Sequence, residues 1–175
     1  MKKYSRIICL SSDTLISTLW ETKAISTIQP GAEIVSLDLN SGLPVMERVG
    51  NVVHSLHNQC AVIGFRNGRQ LKMTLDHPVY VVGKGWCSVN EEQNEFLYGE
   101  NVKRLVIGDK CLSCSNGLLE EIEIVTIDIC PCSEEFYCLS TEKSHAFLAN
   151  GILVVSLLTE ETLPEYHFSL AFPTP

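Results

Sequence analysis

Three Asn-Gly pairs constrain the fold of this chain more than any other feature of its sequence. They lie between apolar stretches, at Asn67-Gly68, Asn116-Gly117 and Asn150-Gly151. Asn-Gly is the strongest local signal for a hairpin, because both residues tolerate the positive φ angles of a tight turn. Helix signals are scarce and are confined to residues 90–99 and 160–168. The sequence therefore predicts an all-β domain.

An internal repeat is the second constraint. Residues 30–43 resemble residues 107–118 in the order of their apolar, serine and glycine positions. Each copy continues into an acidic and then Val/Ile-rich stretch, at residues 47–53 and 120–127. The repeat predicts a β unit that occurs twice in one domain.

Composition limits the class of protein. The chain has 175 residues, 45% hydrophobic and 19% charged, which is typical of one globular domain. A formal charge of −8 provides no basic surface for phosphates, so we expect neither nucleic acid nor membrane as a partner. The apolar run at residues 151–158 is too short to span a bilayer, and residues 1–10 do not form a secretory signal. We expect a cytoplasmic monomer without a cofactor.

Eight cysteines are many for a chain of this size. Because a domain of this length forms a core without disulfide bonds, we interpret the cysteines as thiols in a reducing compartment. Four have separations close to those of a zinc ribbon, namely Cys111, Cys114, Cys130 and Cys132. However, Pro131 interrupts the second pair, and the repeat aligns Cys111 and Cys114 with Ile34 and Leu37. This alignment favours core positions over metal ligands.

Residues 71–80 alternate apolar and polar side chains like a β-strand and carry Thr74 and His77 just before Pro78. A hydroxyl and an imidazole three positions apart at a strand end are reactive groups on a rigid support. The pattern Thr-x-x-His is common, so its meaning depends on the two ends of the chain.

Four motifs follow one another along the chain. Cys9 is followed by Leu-Ser-x-Asp-Thr-x-Ile, and Thr74-x-x-His77-Pro78 precedes Gly85-Trp86. Residues 102–109 have the form V-x-x-L-x-x-G-D, and residues 136–154 read F-Y-C-L…H-x-F-L-A-N-G-I-L-V. Together they resemble the Hint superfamily, which inteins, bacterial intein-like domains and Hedgehog autoprocessing domains share. The resemblance implies a flat, horseshoe-like, pseudo-twofold symmetric β domain that cuts its own backbone.

The resemblance also implies the chemistry of that cut. The Cys9 thiol would attack the carbonyl carbon of Ile8 and convert the amide into a thioester by an N-to-S acyl shift. His77 would protonate the Cys9 amide nitrogen, and Thr74 would position the scissile peptide. The flanking polypeptide is then the substrate, and water, a small thiol or an amine accepts the acyl group.

Two departures from the intein pattern limit the reaction. Inteins end the last strand with His-Asn, whereas this chain has Val155-Ser156, so full splicing is not expected. Cys138 stands where many inteins carry aspartate, which leaves open an activator of Cys9, an acyl acceptor, a disulfide partner of Cys9 and a core residue. His145 matches the histidine of the closing motif, which implies a role in orienting the site.

The expected division is a flanking segment at residues 1–8, an autoprocessing domain at 9–155 and a flanking tail at 156–175. The alternative function is a degenerate Hint fold that serves as a zinc- or protein-binding structural module. The remaining histidines, His54, His57 and His167, are expected on the surface.

Overall fold

The computed structural model describes residues 8–90 and 102–156. The strands are β1 Leu10–Ser11, β2 Leu15–Ser17, β3 Thr22–Ala24, β4 Glu33–Asp38, β5 Leu43–Phe65, β6 Gln70–Met73, β7 Val79–Val81, β8 Gly85–Ser88, β9 Lys103–Arg104, β10 Lys110–Ser115, β11 Leu118–Thr141, β12 Ala146–Ala149 and β13 Ile152–Val155. Helical structure in the described part is a single 3-10 turn at Ile25–Thr27. The all-β prediction is confirmed.

Several expectations concern segments that lie outside the described residues. These are the flanking residues 1–7 and 157–175, the helix signals at 91–99 and 160–168, and His167. Among the described residues, no helix is long and apolar enough to cross a membrane.

The strands pair into one thirteen-stranded sheet. Its two longest strands are the antiparallel pair β5 and β11, which are 23 and 24 residues long. Their register runs from Ile124 opposite Phe65 to Thr141 opposite Val49, with three irregularities. Strands β12 and β13 are buried at every position, which explains why they consist almost entirely of apolar residues.

The internal repeat corresponds to a repeated structure. In the first copy the six-residue strand β4 turns back along the long strand β5, and in the second copy β10 turns back along β11. Ile34 and Leu37 are buried in the first copy, and Cys111 and Cys114 are buried in the second. The prediction of two related β units and of core positions for these two cysteines is confirmed.

All three Asn-Gly pairs lie in turns between antiparallel strands. At Asn116-Gly117 and Asn150-Gly151 both residues have positive φ, as a type I′ turn requires. At the first pair only Gly68 does, with φ +87°. There the Phe65 amide donates to the Arg69 carbonyl at 2.9 Å and closes the loop.

Candidate functional site

The sheet register brings Cys9 between two distant parts of the chain. Strand β1 lies between β6 and β11, with Leu10 opposite both Met73 and Tyr137. In antiparallel pairing, one residue back along β1 faces one residue forward on each neighbour. Cys9 is therefore next to Thr74 on one side and Cys138 on the other.

Thr74 holds the Cys9 residue through two hydrogen bonds. The Cys9 amide donates to the Thr74 hydroxyl oxygen at 3.1 Å, and the Thr74 amide donates to the Cys9 carbonyl at 2.9 Å. The preceding residue, Ile8, is buried in an apolar cluster with Trp86 and Val155. The peptide between Ile8 and Cys9 is thus fixed from both sides.

Cys9 and Cys138 form a disulfide across β1 and β11, with a Cα to Cα distance of 4.7 Å. Both cysteines are buried, in a cluster with Cys60 and Phe136. Of the alternatives left open for Cys138, the structure contains the disulfide partner. The expectation that all thiols are reduced is wrong for this pair, because cross-strand neighbours at this distance meet the geometry of a disulfide.

His77 lies just after the turn that follows β6, two residues before β7, and its side chain is buried. Its Nε2 lies 3.0 Å from the Val155 carbonyl, which can only accept, so this nitrogen carries the proton. Its Nδ1 is buried without a hydrogen-bond partner among the described residues. Burial lowers the pKa of His77, while the backbones of Val155 and Cys9 act in the opposite direction. The ring is therefore neutral at neutral pH, with Nδ1 as an unused acceptor.

His145 begins the last hairpin, next to the end of β13. It has φ +53°, and its carbonyl accepts from the Ser156 amide at 2.9 Å. Burial lowers the pKa of its side chain, and Glu47 acts in the opposite direction. His145 thus contacts the end of β13 at Ser156, next to the Val155 carbonyl that His77 binds.

Glu47 is a site residue that the sequence motifs did not reveal. It is a buried carboxylate on β5, and it accepts hydrogen bonds from the backbone amides of Lys143 and Ser144. These bonds fix the turn that precedes His145. The acidic stretch in the repeat was visible in the sequence, but nothing there indicated which acid points inward.

The four cysteines with zinc-ribbon separations do not come together. Cys111 and Cys114 lie in apolar clusters, whereas Cys130 and Cys132 pack beside Cys9 and Cys138. Burial raises the pKa of Cys111 to about 12 and also raises that of Cys114, so both thiols stay protonated. Within residues 8–90 and 102–156, no group of three or more metal-binding side chains has a suitable arrangement.

His57 was expected on the surface, and the structure places it half-buried. Its Nε2 lies 2.8 Å from the Ser55 hydroxyl, and its ring packs edge-on against Phe136 at 5.4 Å. His54, on the opposite face of β5, is exposed as expected. Period-two alternation places Ser55 and His57 on one face, which is a signal the sequence already contained.

Comparisons with known proteins give two findings. The family profile described as "Ataxin-1 and HBP1 module (AXH)" matches residues 9–116, more than half of the chain. A search of curated protein sequences found no significant match.

Solved structures similar to this chain are inteins and an intein-like domain. A DnaB intein from Synechocystis sp. PCC 6803 is 20% identical with a TM-score of 0.72, covering 87% of this chain and 100% of its own. A bacterial intein-like domain from Clostridium thermocellum is 20% identical with a TM-score of 0.68, covering 86% and 100%. The gp41-1 intein is 23% identical with a TM-score of 0.64 and the same coverage. The fold is therefore of the Hint type, as the motifs predicted.

Proposed function

This chain belongs to the family described as the Ataxin-1 and HBP1 module (AXH), whose description names no activity, and we propose from its Hint-type fold that it processes itself. The proposed reaction is cleavage of its own peptide bond between Ile8 and Cys9. One observation carries this proposal: the buried Cys9 residue has its amide held by the Thr74 hydroxyl.

The first step would be an N-to-S acyl shift. The reduced Cys9 sulfur forms a bond to the carbonyl carbon of Ile8, and the bond from that carbon to the Cys9 nitrogen breaks. The Cys9 nitrogen takes up a proton and leaves as an amine, while the Ile8 acyl group remains on sulfur as a thioester. Burial of Ile8 beside Trp86 supports this step, because it restricts the acyl group to one position.

Thr74 and His77 would serve the leaving nitrogen. Thr74 accepts from the Cys9 amide and so orients the peptide for attack. His77 already uses Nε2–H on the Val155 carbonyl, so Nδ1, which is unprotonated in the neutral ring, would first take up a proton from solvent and then pass it to the Cys9 nitrogen. Cys138 would control the availability of the Cys9 thiol through the disulfide, and His145 would orient the end of β13.

The reaction would end in release and not in splicing. Val155-Ser156 provides no asparagine to cyclise, so the thioester is captured by water, a small thiol or an amine. Residues 1–8 would then be the flanking segment that is released, 9–155 the processing domain and 156–175 a flanking tail. The chain acts once, on its own flanking polypeptide.

The test is cleavage of a fusion protein with a folded partner placed before Met1. Dithiothreitol reduces the disulfide and captures the thioester, so we expect release of a fragment that begins at Cys9. The Cys9→Ala variant should stay intact, whereas Cys87→Ala, which removes another buried cysteine, should cleave like the parent. If the parent and Cys9→Ala stay equally intact during long incubation, self-processing is ruled out.

The rival function is a Hint-type fold kept as a binding or structural module. One observation favours it, namely that the Cys9 sulfur is committed to a disulfide. A zinc-binding version has no candidate set of ligands in the described part of the chain. The rival predicts that reduction of the disulfide lowers stability but yields no fragment.

A further inference from the structure

The Cys9 sulfur has a neighbour that none of the sequence motifs includes. The Ser55 hydroxyl lies 4.0 Å from the Cys9 Sγ and 2.8 Å from the His57 Nε2. Ser55 and His57 are two residues apart on β5, so both side chains lie on the same face of the sheet. Sulfur, hydroxyl and imidazole thus lie in a row of three neighbouring groups.

The position of the imidazole is fixed by its surroundings. Its ring contacts Phe136 edge-on, with centroids 5.4 Å apart, and Phe136 is fully buried. Phe136 is the cross-strand partner of Ser55, so strands β5 and β11 position both Ser55 and His57. The Cys132 thiol also donates to the His57 carbonyl at 3.3 Å. These contacts hold the His57 ring in one position, unlike a surface side chain that rotates freely.

The surroundings of His57 act on its pKa in opposite directions. Burial lowers its pKa, and the Asp76 carboxylate opposes that change. From β11, Glu134 lies opposite His57 and is paired with Lys72 of β6, while Cys132 faces its backbone. The ring is neutral at pH 7, and a carboxylate is available to stabilise its protonated form.

Deprotonation of Cys9 needs such a group. A free thiol has a pKa of about 8.5, and only the thiolate is a strong nucleophile. Cys138 stands where the resemblance would place a carboxylate, and after reduction it is a thiol beside a thiol. Thr74 and His77 are assigned to the Cys9 nitrogen, so the Cys9 sulfur still has no base assigned to it.

We propose that Ser55 and His57 form a proton relay that converts the reduced Cys9 thiol into a thiolate. The proton on Sγ moves to the Ser55 oxygen while the hydroxyl proton moves to the His57 Nε2. Cys9 is left as a thiolate, Ser55 as a hydroxyl and His57 as an imidazolium, so no other reactant is needed. Ser55 contacts the reacting sulfur, and His57 acts through Ser55. The role in cleavage rests on the proposed self-processing.

The first test measures thiolate formation without relying on cleavage. The full chain is reduced with a phosphine and labelled with iodoacetamide between pH 5.5 and 9.5, and the labelling of Cys9 is followed by mass spectrometry. We expect Ser55→Ala and His57→Gln to label Cys9 at least tenfold more slowly than the parent at pH 7 and equally fast near pH 9.5. Ser55→Thr, which keeps the hydroxyl, should restore the parent profile.

Superimposable profiles for the parent and both variants would overturn the relay. A uniform loss of labelling at every pH would also overturn it, because that result indicates a packing role only. Labelling of Cys60 in the same samples reports whether the variants keep the fold around the site, since Cys60 lies in the same buried cluster.

The second test connects the relay to cleavage. In the reduced fusion protein, Ser55→Ala should slow release at pH 7 by about 100-fold, the lower end of what a positioned base contributes. If the parent does not cleave while the labelling profiles differ, self-processing fails and the relay stands. If the parent cleaves and the labelling profiles coincide, the relay fails and self-processing stands.

Discussion

The sulfur atoms of Cys9 and Cys138, 129 residues apart in sequence, are joined in a disulfide across two neighbouring strands. The same sulfur of Cys9 is the proposed nucleophile, so the bond and the reaction exclude each other. We expect the oxidised fusion protein to resist hydroxylamine and to cleave once a phosphine, which reduces disulfides without capturing thioesters, is added. Product is measured by mass spectrometry over time.

Cys138→Ser provides the matched control for this prediction. It leaves Cys9 as a free thiol, so cleavage by hydroxylamine should no longer need the phosphine. Loss of the disulfide should also lower the free energy of unfolding by about 2–5 kcal/mol. Cleavage of the oxidised parent at the rate of the reduced parent would contradict the proposed block.

Removal of the Thr74 hydroxyl should affect both stability and cleavage. Thr74→Val keeps the shape of the side chain, but the buried Cys9 amide loses its acceptor. An unsatisfied buried donor costs about 1–3 kcal/mol, which urea unfolding would measure. We expect cleavage to slow by about tenfold or more, whereas Thr74→Ser should retain most of the rate. A parent-like rate in Thr74→Val would remove this residue from the reaction.

Most of the fold could be predicted because its signals are local. Asn-Gly turns and period-two alternation depend on residues next to each other in the chain, and the repeat shows that one β unit occurs twice. The burial of Cys111 followed from its alignment with Ile34. The length of β5 and β11 was not predictable, because pairing between 49–65 and 124–141 depends on contacts distant in sequence.

Only those site residues that belong to a sequence motif could be predicted. The motifs named Cys9, Thr74 and His77, and the register of β1 puts Cys9 next to Thr74. The disulfide was one of several alternatives, since a choice among them requires the distance between β1 and β11. His57 was expected on the surface, and the packing of its ring against Phe136 depends on contacts that the sequence motifs do not include.

Glu47 should stabilise the turn that carries His145. Its carboxylate is buried and accepts from the amides of Lys143 and Ser144. Glu47→Gln keeps the shape but replaces one acceptor oxygen with a donor, so we expect a loss of about 1–3 kcal/mol in urea unfolding. Glu33→Gln, an exposed change on β4, should leave stability unchanged. Equal stability of the two variants would contradict the role of Glu47.

Stability should depend on pH in the range where histidines titrate. Burial lowers the pKa of His57, His77 and His145 below the ordinary value of about 6.5. As pH falls below 6.5, the unfolded chain binds more protons than the folded one, so the free energy of unfolding decreases. Urea unfolding at pH 7.5, 6.5 and 5.5 should show this decrease. His77→Gln should flatten it, and an identical slope would contradict the buried neutral ring.

Capture of the thioester tests self-processing most directly. The fusion protein is reduced with a phosphine in the presence of a sulfonated small thiol, and the released partner is analysed by mass spectrometry. We expect a fragment that ends at Ile8 as a thioester of that thiol and that ligates to a peptide with an N-terminal cysteine. A fragment that ends elsewhere, or the same fragment from Cys9→Ala, would contradict self-processing.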